Sequence, residues 1–396
     1  MRPRANKCLL CPLLAIVICA ASSAGEPLTK SLRVPPTSVG VDNAALDMLD
    51  REIAQGKFSL VDHLLVIRCG ENVFERSYSH DYRAVYGAEA RKQGPLNARG
   101  SGVYNYFDWH WHPYLNGSDL HTLQSVTKTL TSVVYGVAIT RGDFKAPLDT
   151  PVLRYFKESS VRNIDDRKRR MTLRDVLTMS AGLDWNEELP YEDPGNTAIG
   201  MEAADDWVQY VIDRPMAHEP GTVFAYNSGA SELLAYIFLA ETGQDIERYA
   251  QTHLFGPLGI KRHYWKRNPT GLVDTEGGLY LRAQDLAKIG LLFLHQGNWR
   301  GKVIVAPDWI KQSLQPRFDA GARWKYGYQW WLRPEEFPPR LEFAARGFGG
   351  QLLFVAPQEE TVLVMNGWKI LGDAPNESAI IDRVLAAVRS PNCPAP

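Results

Sequence analysis

Residues 125–139 read Ser-Val-Thr-Lys-Thr-Leu-Thr-Ser-Val-Val-Tyr-Gly-Val-Ala-Ile. A helix built from this stretch has no polar face, so other elements must wrap it on all sides. The rest of the chain has to be arranged around it. Ser125 and Lys128 open it three residues apart, which puts both side chains on one helical face. Desolvation of a buried ammonium favours the neutral amine, so a lowered pKa is expected for Lys128. A neutral amine next to a hydroxyl is a base next to a nucleophile. The positive end of the helix dipole falls at Ser125, where attack on a carbonyl develops negative charge. Taken alone, Ser-x-x-Lys is equally an ordinary helix start with Ser125 as N-cap. The rest of the chain has to decide between the two.

The N-terminus starts Met1-Arg2-Pro3-Arg4, adds Lys7, runs apolar from Cys8 to Ala21 and closes on Ser22-Ser23-Ala24. This is the pattern of a secretory signal peptide, with cleavage expected after Ala24. The apolar run is short for a membrane span, so no stable membrane insertion is expected after cleavage. The full chain carries 44 basic and 45 acidic residues, and loss of Arg2, Arg4 and Lys7 takes the net charge from −1 to −4. No basic patch points to nucleic acid. A hydrophobic content of 45% fits a folded enzyme rather than a disordered chain. Only Cys69 and Cys393 of the five cysteines lie beyond residue 24. An oxidising compartment permits their pairing; two free thiols are the alternative.

Strand patterns occur at both ends and helical ones in the middle. His63 to Cys69 reads as a buried strand, Gly70-Glu71-Asn72 as a turn, and Val73 to Ser79 as the returning strand. Helices are expected from Ser125, over Thr172–Met179, Ala203–Ile212 and Ser231–Thr242. Tyr326–Leu332, Gln351–Val355 and Thr361–Met365 read as strands, and Ala379–Val388 as a closing helix. There is no regular βα alternation. The fold class expected is α+β: a central antiparallel sheet built from both termini, with a helical lobe inserted between. The expected boundaries are a signal peptide at 1–24 and one hydrolase domain at 25–396. Within it, the sheet lobe takes about 55–120 and 265–390, and the helical lobe about 121–264.

Two further segments carry chemistry. In Pro220-Gly221-Thr222-Val223-Phe224-Ala225-Tyr226-Asn227-Ser228-Gly229, a turn and a short extended piece place Tyr226 at a loop edge before a helix. A phenol there serves as general acid or base if a nearby cation lowers its pKa; a packed core tyrosine is the alternative. In Ala345-Arg346-Gly347-Phe348-Gly349-Gly350-Gln351, three glycines allow close backbone approach. A backbone N–H there would form half of an oxyanion hole, with the N–H of Ser125 as the other half.

Together these segments resemble the serine β-lactamase and penicillin-recognising superfamily, in its class C-like and esterase-like branch. The Ser-x-x-Lys box is one of its marks. Leu177 to Leu183, Leu254 to Ile260, Gly277-Gly278-Leu279-Tyr280 and Gly347 to Gln351 are similar to the family in the same order, over about residues 55–390. The Tyr-Asn-Ser and Gly-Phe-Gly-Gly-Gln segments are most similar to the branch that holds 6-aminohexanoate-dimer hydrolases. The resemblance implies a β-lactamase/transpeptidase-like fold with the site at the lobe junction. It implies Ser125 as nucleophile, Lys128 as companion base, Tyr226 as the box tyrosine and Phe348 as the residue whose N–H completes the oxyanion hole. Two departures stand out: Ser228 ends the tyrosine box in place of asparagine, and Ala345-Arg346-Gly347 replaces Lys-Thr-Gly. Both favour an esterase or amidase over a β-lactamase, with weak β-lactam turnover still open, and Arg346 is the candidate to replace the missing cation.

The implied substrate is a small ester or amide, with Gly347, Arg346, Ser228 and Trp185 as candidate binding residues. Glu187 and Glu188, beside Trp185, line the cleft or sit on a solvated loop. No cofactor is implied. Asp108-Trp109-His110-Trp111-His112, with His121, has the alternating histidines of zinc hydrolases, but Pro113-Tyr114 follows where an acidic ligand is needed. The favoured reading is therefore no metal, with this aromatic loop shaping the cleft mouth. The alternative function is a penicillin-binding-like protein that has lost turnover and binds cell-wall peptide or polymer. Absence of a Gly-x-Ser-x-Gly elbow argues against an α/β-hydrolase.

Overall fold

The structure is a computed structural model that describes residues 35–336, 339–373, 375–389 and 393. The expected signal peptide at 1–24 lies outside the described residues. Strands β1 (Val61–Arg68) and β2 (Glu71–Ser77) form a hairpin, and six more strands come from the C-terminal part of the chain. These are β3 (Phe318–Asp319), β4 (Lys325–Tyr326), β5 (Trp331–Glu336), β6 (Pro339–Gly347), β7 (Gln351–Ala356) and β8 (Thr361–Gly367). They form one sheet in the order β2-β1-β8-β7-β6-β5-β4-β3, antiparallel throughout. The two ends of the chain therefore meet at the β1–β8 pair, as the order of elements in the sequence requires.

The helices that matter for the site are α1 (Asn43–Ala54), α2 (Val126–Arg141), α3 (Thr197–Ala203), α4 (Ser228–Thr242), α5 (Ala283–Leu294) and α6 (Glu377–Ala387). Alternation along the strands divides the sheet's side chains between two cores. Leu64, Val66, Leu352, Phe354 and Leu363 face α1 and α6, packing on Leu46, Leu49, Ile380 and Val384. Leu65, Ile67, Ala345, Leu353 and Val364 face the opposite way, toward α2, α5 and the helical lobe. All thirteen residues from Val126 to Ala138 are buried, which is what a helix apolar all round demands.

Two expected elements are broken in the structure. Ala203–Ile212 is not one helix: α3 ends at Ala203, and Asp206 caps a new helix, Trp207–Ile212, by accepting from Gln209 N. The caps override the apolar periodicity that runs across both. Tyr326–Leu332 is also interrupted, because Gln329 adopts φ +61° between β4 and β5. Cys69, at the turn after β1, is joined by a disulfide to Cys393, which ties the end of the chain to the sheet. Among the described residues, no helix is long and apolar enough to cross a membrane.

Candidate active site

The N-terminus of α2 is aimed by a strained residue. Gln124 takes φ +47°, a left-handed conformation costly for a residue with a Cβ, and its side chain donates to Thr122 Oγ1. This bend turns the chain from the short strand His121–Thr122 into α2 and leaves Ser125 at the first turn. Ser125 makes no side-chain cap bond, so its Oγ is available. Lys128 Nζ donates to that Oγ at 2.8 Å. The same ammonium donates to Glu276 O at 2.7 Å and to Glu276 Oε2 at 3.1 Å. Its three donors are thus all matched while the side chain is 1% exposed.

The lowered lysine pKa expected from the sequence is not what the structure shows. Desolvation does push Lys128 down, but it is outweighed by Tyr226, by the carboxylates of Glu276 and Glu187 and by the Glu276 hydrogen bond. The net shift is upward, and Lys128 rests as an ammonium. Glu276 moves the other way. Burial pushes its carboxyl up, but the charges of Lys128 and Lys266 and hydrogen bonds from Lys128 and Glu202 hold it below the usual carboxylate range.

Tyr226 sits two residues before α4, where Asn227 caps the helix by accepting from Ala230 N at 2.8 Å. Its ring lies 5.3 Å from Lys128 Nζ and stacks on Trp331 at 5.7 Å. Burial raises the phenol pKa; the Lys128 charge and a hydrogen bond with Ser125 counter this only in part, and Glu187 adds to the rise. Tyr226 therefore keeps its proton near neutrality and is equipped as a proton donor, not as a resting phenolate base.

Strand β6 ends against the same helix terminus. A Cβ on Gly347 would lie 2.6 Å from Leu123 O and 3.1 Å from Ser125 N, so only glycine lets the strand come this close. Phe348 follows immediately. Neither Ser125 N–H nor Phe348 N–H donates to an acceptor among the described residues. Two free amides at a helix N-terminus and a strand end are the parts of an oxyanion hole. Gln351 braces this turn: its amide bonds Gly367 O and Phe348 O, and Asn366 Nδ2 donates back to it at 3.1 Å. We expect Gly347→Ala to push β6 off Ser125 and cut kcat about 10- to 100-fold with KM little changed, read by steady-state kinetics.

The other expected binding residues are placed differently. Arg346 follows Ala345 on the strand and so projects to the α1/α6 side of the sheet, away from α2. Its Nε donates to Glu377 Oε2 at 2.8 Å, and its guanidinium packs over Trp324 and Trp331 at 5.3 and 5.1 Å. Trp331 packs against both Arg346 and Tyr226. Ser228 is 1% exposed, and both its N–H and its Oγ donate to Glu187, at 2.8 and 2.5 Å. Trp185 is likewise buried and gives its indole N–H to Glu187 at 2.8 Å. With Tyr191 OH at 2.7 Å, Glu187 accepts four hydrogen bonds at the start of α4. Ser228 and Trp185 thus hold Glu187.

Part of the aromatic loop packs against the turn at Phe348. Tyr106, His112 and Trp368 stack in sequence, and Tyr106 meets Phe348 edge-on at 6.1 Å. Burial depresses His112 to about 3, and its ring nitrogens are engaged by Val103 O and Tyr280 OH. His121 bonds Asp62 and Thr122 O. Among the described residues, no group of three metal-ligating side chains converges. Sequence reasoning missed Glu276, because nothing in local spacing links it to a lysine 148 positions earlier. The signal that was present is physical: a lysine buried in a helix with no polar face calls for a buried counter-charge.

Residues 60–382 match the Beta-lactamase family. The 6-aminohexanoate-dimer hydrolase of Paenarthrobacter ureafaciens is 26% identical over 272 residues, covering 63% of this chain and 67% of that protein. Among solved structures, EstCE1, a hydrolase with promiscuous acyltransferase activity, superposes with a TM-score of 0.61 at 15% identity, covering 87% of this chain and 97% of that one. The octameric penicillin-binding protein homologue from Pyrococcus abyssi gives 0.59 at 18% identity, over 88% and 78%. With the fold, the order of its segments and the match over residues 60–382 in agreement, this chain belongs to the Beta-lactamase family and is a serine hydrolase.

Proposed function

We propose that the protein is an exported hydrolase that cleaves a small ester or amide through an acyl-enzyme on Ser125. The observation that carries this is the 2.8 Å contact between Lys128 Nζ and Ser125 Oγ beneath the Tyr226 ring. Ser125 attacks the carbonyl, its own N–H and that of Phe348 take the oxyanion, and Tyr226 protonates the leaving group. Water then attacks the ester on Ser125 and releases the acid. Arg346, which stands where the resemblance puts the strand cation, is paired with Glu377 on the α1/α6 side, which supports an ester or amide over a β-lactam. The sequence of residues 1–24 and the Cys69–Cys393 bond support export, since disulfides persist in oxidising compartments.

The test is a comparison of kcat/KM for short-chain esters, amides and a chromogenic cephalosporin on the mature protein. Esters or amides should exceed the cephalosporin by at least about 100-fold. A cephalosporin turned over faster than every ester and amide would overturn the assignment.

A further inference from the structure

In the site described so far, each of the three N–H groups of Lys128 is donated, one to Ser125 Oγ and two to Glu276. A carboxylate lies directly behind the lysine. Lys128 Nζ lies 2.8 Å from Ser125 Oγ and 3.1 Å from Glu276 Oε2, within hydrogen-bond reach of both. We propose, on the acyl-enzyme reading above, that Ser125, Lys128 and Glu276 form a proton relay. Lys128 hands one proton to Glu276 as it takes the proton of Ser125, and Glu276 holds it until the leaving group departs.

The step balances. As an N–H bond of Nζ breaks toward Glu276 Oε2, the amine turns the freed lone pair to Ser125; Ser125 Oγ bonds the carbonyl carbon while its O–H bond breaks toward Nζ, and the carbonyl oxygen becomes the oxyanion. On collapse, the bond to the leaving group breaks, Tyr226 protonates the departing atom, and the proton stored on Glu276 returns through Lys128 to restore Tyr226. The attack of water repeats the cycle, with Ser125 Oγ taking the final proton. Glu276 touches no reacting atom, so it is a positioning and proton-storing residue.

Glu276 is built to do this in a dry interior. The titratable groups that act on it are Lys128 on α2, Glu202 on α3, Tyr226 just before α4, Glu232 within α4, and Lys266, Asp274, Tyr104, Tyr106 and Tyr191 from the loops between. Glu202 hydrogen-bonds Glu276 and accepts from Tyr106 OH at 2.7 Å. Burial pushes the carboxyls of Glu202 and Glu232 well above their usual range. Asp274 lies 3.6 Å from Lys266 Nζ and accepts the backbone N–H groups of Glu276 and Gly277. Glu276 is the one carboxylate of the group in contact with Lys128.

The test is the second-order rate at which a fluorophosphonate labels Ser125, followed by intact mass between about pH 5 and about pH 10 on the mature protein. Wild type should label at a rate that is flat above the carboxylate range. Glu276→Gln should label about 100-fold more slowly near neutrality and recover as pH rises, because its only base is then a neutral Lys128. A uniform loss at every pH, or no loss, would overturn the relay. Should the variant fail to fold, wild-type labelling in mixtures of light and heavy water decides. A curved proton inventory shows two protons in flight, and a linear one overturns the proposal. Absence of labelling in folded wild type, with Ser125→Ala as reference, would instead overturn the acyl-enzyme reading and the relay with it.

Discussion

Ser125→Ala should abolish the fluorophosphonate adduct and lower ester or amide turnover by at least about 10,000-fold, while leaving the melting temperature nearly unchanged. The two halves of this expectation come from the same geometry. The serine hydroxyl is the atom that both Lys128 and Tyr226 address, so its removal leaves an acid, an ammonium and an oxyanion site with nothing to bond. Yet Lys128 loses only one of three acceptors and keeps both contacts to Glu276. Each of the two hydrogen bonds lost at this half-buried hydroxyl is worth about 1 kcal/mol. Intact mass after labelling, substrate turnover and a thermal melt on the same preparation check all three points. Retained turnover in the folded variant would remove Ser125 from the chemistry.

Lys128→Met should lose activity by about 1,000-fold or more, and unlike Ser125→Ala it should also be unstable. Here the change removes one member of a buried ion pair and leaves the Glu276 carboxylate without its nearest cation. Such a loss costs about 3–5 kcal/mol. The pH dependence gives the cause away. In wild type, Glu276 has a lowered pKa, so its contribution is present above the ordinary glutamate range and is lost as pH falls through the folded value. Lys128 has a raised pKa, so its contribution is present below the ordinary lysine range and is lost as pH rises through the folded value. The pair therefore stabilises across the whole neutral range. In the variant, burial drives Glu276 upward, and the gap from wild type should narrow on acidification as that carboxyl takes a proton. Melting temperature against pH for both proteins measures this; a gap independent of pH would show that lost packing, not charge, is responsible.

The parts legible from sequence were those set by periodicity and by short-range chemistry. The helix apolar all round at Ser125–Ile139 is buried as its composition demands, and the strands at both ends meet in one antiparallel sheet. The glycine at 347 is where a strand must touch a helix terminus, and a glycine-rich run at the start of a strand is a local signal for close approach. What was not legible depends on distant partners. Arg346 looked like a free cation because its partner, Glu377, comes 31 residues later on α6. Ser228 and Trp185 looked like cleft residues because Glu187 gathers them only once the loop is folded. The direction of the Lys128 shift reversed for the same reason: desolvation is local and can be foreseen, while the compensating carboxylate arrives from residue 276.

The β1–β8 seam has a consequence for when the molecule becomes an enzyme. The nucleophile is in place at residue 125, but the strand end that completes its oxyanion site comes more than two hundred residues later, at Gly347 and Phe348. Until β6, β7 and β8 have been made, β1 has no neighbour on one side, and the turn that Gln351 braces against Gly367 does not exist. Contacts of such long range form late, because the intervening loop must be closed before they bring any return. A half-made chain thus carries Ser125 without the amide that would let it act. Catalytic competence belongs only to the finished polypeptide, which keeps an acylating serine silent throughout synthesis.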